Sequence, residues 1–260
     1  MSGAGKKGAP EALIVKGKRL DGRALDEFRP IKTEVGVVQQ AQGSAVFDFG
    51  ETHALSAVYG PRPMHPKGLQ EPTRAILRCK YFMAPFATWE RSRPGISRRS
   101  TEISKVITDA LSQVVFLDDF PKTVIDVFME ILQADASTRC AGLNAASIAL
   151  AEAGIPMKDL ISCTSVGKVD GKLVLDVGGA EDNFGEVDMA VATVGGSDRF
   201  VLLQTDGIIT KEEFAELLEM GQNGCTEIYK KQKAVLKNKY KTGQKENYIT
   251  ESRSDSAKGE

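Results

Sequence analysis

At 125–156 the chain reads IDVFMEILQADASTRCAGLNAASIALAEAGIP, an apolar strand running straight into a helix of small residues. No other stretch restricts the possible folds as much. Asp135-Ala136-Ser137-Thr138-Arg139 forms the joint. Ser137 or Thr138 can cap the helix, leaving free backbone N–H groups that point at whatever lies in front. Arg139 then falls in the first turn, where a cation has the wrong sign for the helix dipole. An anion held by the N–H groups and the guanidinium together resolves that conflict, so the joint predicts a phosphate seat. A plainer reading stands beside it: Ser and Thr cap many ordinary helices, and Arg139 could simply pair with Asp135.

The helix ends where Gly154 and Pro156 predict a stop. Its small residues suit a helix pressed against a sheet. Upstream, 31–39, 45–49, 52–59 and 74–83 read as strands rich in Val, Phe and Tyr, with Gly50-Glu51 as a tight hairpin turn. Apolar residues at Ile103, Val106, Ile107, Ala110, Leu111 and Val114 recur at helical steps and predict a helix over 100–116. Downstream, 162–169, 173–177, 186–194 and 200–205 read as strands, with Asp170-Gly171 as a hairpin turn. Thr210 and Glu213 form a capping box that opens a last helix. The order predicts a single α+β domain over 18–241, with helices packed on mixed sheets. The polar ends, 1–17 and 242–260, are expected to be flexible or disordered.

Composition excludes several classes. No apolar run approaches the ~20 residues that span a bilayer, and the N-terminus lacks a signal peptide's apolar stretch, which predicts a cytoplasmic protein without membrane contact. Cys79, Cys140, Cys163 and Cys225 are scattered and read as small apolar fillers. There is no G-x-S-x-G, no Walker loop and no His cluster, and His53 reads as a core histidine. Net charge is −1, so any affinity for nucleic acid must be local. Arg91, Arg93, Arg98 and Arg99 supply such a cluster, because guanidinium forks grip phosphate oxygens in pairs. Arg62 and Lys67 add charge on a Pro-stiffened loop, where a surface loop with incidental charge is the plainer reading. The lysines at 230–241 suit a solvated helix face.

Asp182-Asn-Phe-Gly-Glu-Val-Asp188 supplies acids. Asn183 to Gly185 looks turn-like, Asp182 precedes the turn, and Asp188 begins a strand on the face shared with Ala190 and Ala192. Two hard carboxylates beside small residues suit Mg²⁺, which keeps several waters and bridges to phosphate. Solvated acids at a turn are the alternative, and the more natural one for Asp182 alone. An anion cradle, arginines and a carboxylate pair, with no protein nucleophile, suit a reaction in which bound inorganic phosphate is the attacker.

From about residue 19 to 240 the chain resembles the RNase PH family, in particular the catalytic ring subunits of archaeal exosomes. The likeness is carried by RLDGRA at 19–24, GPRPMHP at 60–66, SRRSTEI at 97–103, ILQADASTR at 131–139, AGIPMKDL at 153–160, and Glu181-Asp182 followed by Asp188. It implies a ribosomal protein S5 domain 2-like fold and 3′→5′ phosphorolysis of single-stranded RNA, releasing nucleoside diphosphates and reversible to 3′-tail synthesis. By resemblance, Ser137, Thr138, Arg139 and Arg99 bind phosphate, while Arg98, Arg62 and Lys67 bind the RNA backbone. Asp182 and Asp188 are the catalytic carboxylates and hold Mg²⁺. A hexamer is implied too, a trimer of heterodimers with an inactive RNase PH-like partner, carrying RNA-binding cap proteins. The family usually has Gly where this chain has Ser137; if that position needs a positive φ, Ser is mildly strained. Two alternatives share the fold: a homohexameric enzyme trimming tRNA 3′ ends, and a non-catalytic RNA-binding ring scaffold. Loss of the acids or of the phosphate-site arginine would mark the scaffold, and this chain keeps both.

Overall fold

The strand and helix expected around residue 135 form the hub of the computed structural model, which describes residue 10 and residues 12–256, with side chains as far as 241. Five strands build the first sheet: β3 (Ile31–Val35), β4 (Gly43–Phe49), β5 (Thr52–Pro63), β6 (Ile76–Met83) and β7 (Thr123–Gln133), after a short hairpin of β1 (Ile14–Val15) and β2 (Lys18–Arg19). Their order is β3-β4-β5-β7-β6. β6 and β7 run parallel, joined by a crossover through α1 (Arg98–Ser112); the other pairs are antiparallel. β7 leads into α2 (Thr138–Glu152). A second, antiparallel sheet follows, from β8 (Ile161–Val169), β9 (Lys172–Leu175), β10 (Val187–Val194) and β11 (Phe200–Gly207), in the order β11-β10-β8-β9. The short α3 (Gly179–Phe184) links β9 to β10, and α4 (Lys211–Ser256) closes the fold.

Helix α2 is buried on nearly every side, from Cys140 to Leu150. One hydrophobic core runs through it and draws on both sheets, with Phe47, Ile131, Leu143, Ile148, Met189 and Ile228 all inaccessible. Small residues make that position possible. At Gly43 on β4, a Cβ would collide with the Ala149 carbonyl, so strand and helix backbones touch there.

Strand β9 pairs only with residues 166–169 of β8, leaving the rest of that edge inside the protein without a strand partner. Buried backbone groups must find acceptors and donors elsewhere. Asn144 supplies both at once: its Nδ2 donates to the Cys163 carbonyl and its Oδ1 accepts the Cys163 N–H, each at 2.8 Å. Ser147 Oγ accepts the Ile161 N–H at 2.8 Å, and Gln232 Nε2 donates to the Ile161 carbonyl at 3.0 Å. Polar residues in α2 and α4 thereby act as the missing strand.

Several expected boundaries move. The strand expected over 31–39 stops at Val35, because Gly36 turns the chain at φ +79°. The one expected at 52–59 continues to Pro63. Helix α1 starts two residues early, at a reciprocal cap in which Ser97 Oγ accepts the Ser100 N–H and Ser100 Oγ accepts the Ser97 N–H. Gly50-Glu51, Asp170-Gly171 and the Thr210–Glu213 box lie where expected. Residues 1–9 and 11 of the segment expected to be flexible lie outside the described residues. Within the rest of that segment Leu13 is buried, and the Leu13 and Ile14 N–H groups donate to Asp170. Helix α4 passes through residue 241, where disorder was expected to begin, and runs to Ser256. All four cysteines are buried thiols, and among the described residues no helix is long and apolar enough to cross a membrane.

The side-chain seal on β8 is open to test. Asn144→Leu keeps the volume but strands a buried N–H and C=O, and should cost about 2–4 kcal/mol, read from the urea midpoint. An unchanged midpoint would mean water or a shifted strand satisfies that edge.

Candidate active site

Between β7 and α2 the chain makes an abrupt turn in which two adjacent non-glycine residues are left-handed, Ala136 at φ +58° and Ser137 at φ +53°. Each costs of order 1 kcal/mol, so the strain suspected at Ser137 is real. Neighbours hold it. Thr52 Oγ1 donates to the Ala136 carbonyl at 2.8 Å and accepts the Asp135 N–H at 2.9 Å. Ser137 Oγ donates to the Val177 carbonyl at 2.9 Å and lies 2.6 Å from Ser165 Oγ. The hydroxyl expected to cap α2 is therefore turned into the second sheet, and no side chain caps the helix there. What Ser137 brings to the site is its backbone. The first-turn amides of Thr138, Arg139 and Cys140, which have no acceptor within the helix, form a ready anion seat.

Arg139 is four-fifths buried, and its Nη2 lies 3.8 Å from Glu102 Oε1. Its Nε is buried with no hydrogen-bond partner. Pairing with Asp135 does not occur, because Asp135 faces Arg29. A buried guanidinium donor left open in this way fits an oxyanion. Thr138 is buried beside it and accepts a hydrogen bond from the Tyr81 hydroxyl at 2.9 Å. Burial raises the Tyr81 phenol, against the pull of Thr138, Arg99 and Arg139, so the hydroxyl stays protonated as that donor.

A cavity of 1430 Å³ opens in front of the turn, lined by Arg99, Asp135, Ala136, Thr138, Gly179 and Asp182, with Phe86 and Trp89 on its wall. Asp182 lies in the first turn of α3, not beside a loop turn as expected. Asp188 sits opposite Asp206 on β11 and Gly167 on β8. Its carboxyl is pushed up to about 6, chiefly by burial and next by Asp182, with Asp206 adding and Arg139 and Arg99 opposing. The two acids and two arginines therefore share one electrostatic neighbourhood. The small residues on its face have another purpose than the one expected: Ala190 and Ala192 are buried in the core, on a strand that packs against α2. Arg98 is exposed at the head of α1. Arg62 and Lys67 stand apart from the cavity lining, Arg62 in an ion pair with Asp126 at 2.5 Å and Lys67 opening a short 3-10 turn.

Two carboxylates close enough for one to raise the other are a donor set that a cation would relieve. Among the described residues no three acids, histidines or cysteines converge as a metal cage. The pair fits hydrated Mg²⁺, which takes one or two carboxylates and completes its shell with water and phosphate oxygens.

Sequence reasoning gave no role to the residues that hold these parts together. Arg19, from the RLDGRA motif, donates to Glu181 Oε1 at 2.7 Å, to the Leu175 carbonyl at 2.5 Å and to the Asp176 carbonyl at 2.6 Å. Arg29 clasps Asp176 through Nε at 2.9 Å, Nη2 at 2.7 Å and its own N–H at 2.8 Å, and also donates to the Asp135 carbonyl. Arg23 adds a third guanidinium, 3.3 Å from Asp176. Glu181, quoted only as part of a motif, is buried and accepts the Gly178 N–H at 2.7 Å, fixing the start of α3. A Cβ at Gly179 would collide with Asp135, so α3 and the turn after β7 touch. One signal was available: Asp176 interrupts the apolar run LVLDV at 173–177.

Comparison with known proteins shows the family. Residues 27–156 match domain 1, and residues 159–224 domain 2, of the RNase PH 3′ exoribonuclease family. The chain is 54% identical over 236 residues to the exosome complex component Rrp41 of Thermococcus kodakarensis, covering 90% of this chain and 95% of that one. Against the protein of the same name from Archaeoglobus fulgidus it is 48% identical over 250 residues, covering 95% and 97%. Among solved structures, rice Rrp46 superposes with a TM-score of 0.76 at 25% identity, over 84% of this chain and 100% of that one. A chain of the Archaeoglobus fulgidus exosome with RNA bound to the active site superposes with a TM-score of 0.72 at 24% identity, over 82% and 92%, a likeness of fold.

Asp188 sets function against stability in a measurable way. Its folded carboxyl titrates near 6 instead of the ordinary 3.8, so the folded state holds the proton longer and stability falls as pH rises between those values. The cost, about 2–3 kcal/mol, is fully present above pH 6 and absent below pH 4. In buffer free of divalent cations, Asp188→Asn should melt higher than the wild type at pH 7.5 and alike near pH 4. A lower melting temperature at pH 7.5 would show a net attractive field at Asp188.

Proposed function

The chain belongs to the RNase PH 3′ exoribonuclease family, and from that premise we propose that its cavity degrades RNA from the 3′ end by phosphorolysis, as the catalytic subunit of an exosome-type ring. The observation that carries this function is the buried, unpartnered Nε of Arg139 at the head of α2, within the electrostatic reach of Asp188. It is a seat for a small oxyanion facing acids, with no protein nucleophile beside it.

Inorganic phosphate is held by Arg139, Thr138 and the first-turn amides of α2, with Ser137 shaping the turn and Arg99 shared between phosphate and the scissile group. Guanidinium and amide donors fixed before the reaction stabilise charge on phosphoryl oxygens without reorganising. A phosphate oxygen attacks the terminal phosphorus. The new P–O bond forms, the bond to the 3′ oxygen of the penultimate nucleotide breaks, and a nucleoside 5′-diphosphate leaves. The freed 3′ oxygen takes a proton, and Asp188, whose carboxyl burial and Asp182 push up to about 6, is suited to pass it on while no cation is bound there. Asp182 faces the same group from α3. Mg²⁺ held by Asp182 and Asp188 would supply charge neutralisation to the phosphates. Arg98 steers the RNA backbone locally, and Arg62 and Lys67 contact it further from the chemistry.

Because relatives about half identical are named exosome components, we place the chain in a hexamer with an inactive RNase PH-like partner, capped by RNA-binding proteins, in the cytoplasm. The retained acids and Arg139 favour a catalytic over a scaffold subunit.

Decay of single-stranded RNA by the assembled complex should require phosphate and yield nucleoside diphosphates; monophosphates formed in phosphate-free buffer would point to hydrolysis instead. Phosphorolysis exchanges a phosphodiester for a phosphoanhydride with no net hydrolysis, so the step is reversible and excess nucleoside diphosphate should extend RNA 3′ ends. Asp182→Ala should lower turnover by at least about a hundredfold with RNA affinity retained. Loss of RNA binding in that variant would reassign Asp182 from chemistry to substrate capture.

A further inference from the structure

The cavity wall carries something that phosphate chemistry does not use. Trp89, the only tryptophan of the chain, is fully exposed, and Phe86 is 75% exposed. Both line the same cavity as Arg99, Thr138 and Asp182. Exposed aromatic rings on a loose loop would mean little, but this loop is pinned. The Ala84 N–H donates to Ile131 and the Ala134 N–H to Ala87, both at 2.9 Å, tying the loop to the end of β7. Ala84 and Ala87 are buried. Beyond Phe86 the Ser92 N–H closes back onto Pro85 at 2.9 Å, and Thr88 Oγ1 donates to the Glu90 carbonyl at 2.6 Å and lies 3.1 Å from Ser92 Oγ. The rings are thus presented on fixed backbone beside the reacting groups.

We infer that Trp89, backed by Phe86, is a stacking platform for bases near the 3′ end of single-stranded RNA. This rests on the ribonuclease function proposed above and adds how bases are held without being read. Flat aromatic faces accept any base, while exposed guanidinium groups track the phosphates between them. Arg91, Arg93, Arg98 and Arg99 follow Trp89 within ten residues and are all exposed, and Arg99 lines the cavity with the two rings, so positive charge lies close to them. That charge favours a polyanion over an apolar protein surface as the occupant.

Because Trp89 is the sole tryptophan, it reports on itself. Titrating the full chain with oligoadenylate should quench its emission, and an oligomer with abasic residues at its 3′ end should leave the emission unchanged. In the assembled complex, Trp89→Ala should raise KM for RNA roughly tenfold, the usual effect of losing one aromatic–base stack, with KM for phosphate unmoved. Trp89→Phe should recover most of the loss. Unquenched emission at RNA concentrations that saturate phosphorolysis would overturn the platform while leaving the ribonuclease function intact. No phosphate-dependent decay by the wild type would instead remove the function beneath it. Should Trp89→Ala leave KM for RNA unchanged and shift the mass of the complex by light scattering, the loop docks a protein subunit and the platform is wrong.

Discussion

Asp176 is the residue on which the site is hung. It is fully buried, held at φ +55°, and met by the guanidinium groups of Arg29 and Arg23, while its carbonyl takes Arg19. A buried carboxylate is tolerable only when opposite charge and hydrogen bonds replace its water. That requirement draws together three pieces of chain far apart in sequence: the N-terminal arginines, the end of β9, and the turn after β7, which Arg29 reaches through the Asp135 carbonyl. Burial acts against the Arg29 charge, yet Asp176, with Asp135 and Glu181 assisting, raises its pKa above the ordinary value. Arg29 therefore stays charged, and removing its partner Asp176 would leave that buried charge alone.

From that anchor the strained and charged parts of the site become affordable. Two left-handed residues, an unpartnered arginine nitrogen and a carboxyl titrating near 6 all weaken the fold locally. The left-handed pair lies beside Asp135, which Arg29 grips, and the arginine is on α2, the helix around which the core closes. Strain and unsatisfied donors are what a site for a transient oxyanion requires, since the ligand supplies the missing partner. The rigidity behind them keeps the amides of α2 aimed at one point whether or not phosphate is present.

The elements were largely legible because their signals are local. Small residues at 140–147, the cap at Thr210, and the turns at Gly50-Glu51 and Asp170-Gly171 are read within a few positions. The turn after β7 was legible for the same reason, as strand, joint and arginine are contiguous, although the expected hydroxyl cap is not made. Asp182 and Asp188 were picked out, but their setting was misread: a six-residue helix is too short to show a period, and Ala190 and Ala192 were assigned to a ligand when the core buries them. The roles of Arg19, Arg29, Asp176 and Glu181 were missed, because a charge carries no mark of burial. Asn144 and Gln232 were missed likewise; in sequence each is an ordinary polar residue on a helix.

Local pattern in the chain thus settles its class, its strand-to-helix joint and the chemistry those residue types can perform, because backbone preference and functional-group identity act over a few residues. Which acids face water, which arginines clamp carboxylates, that Ser137 turns its hydroxyl inward, and that Trp89 shares a wall with Asp182 follow from packing two sheets around α2. Those pairings join residues up to 162 positions apart, and they are chosen by the need to neutralise and hydrogen-bond whatever the core encloses, a condition that arises when the chain closes.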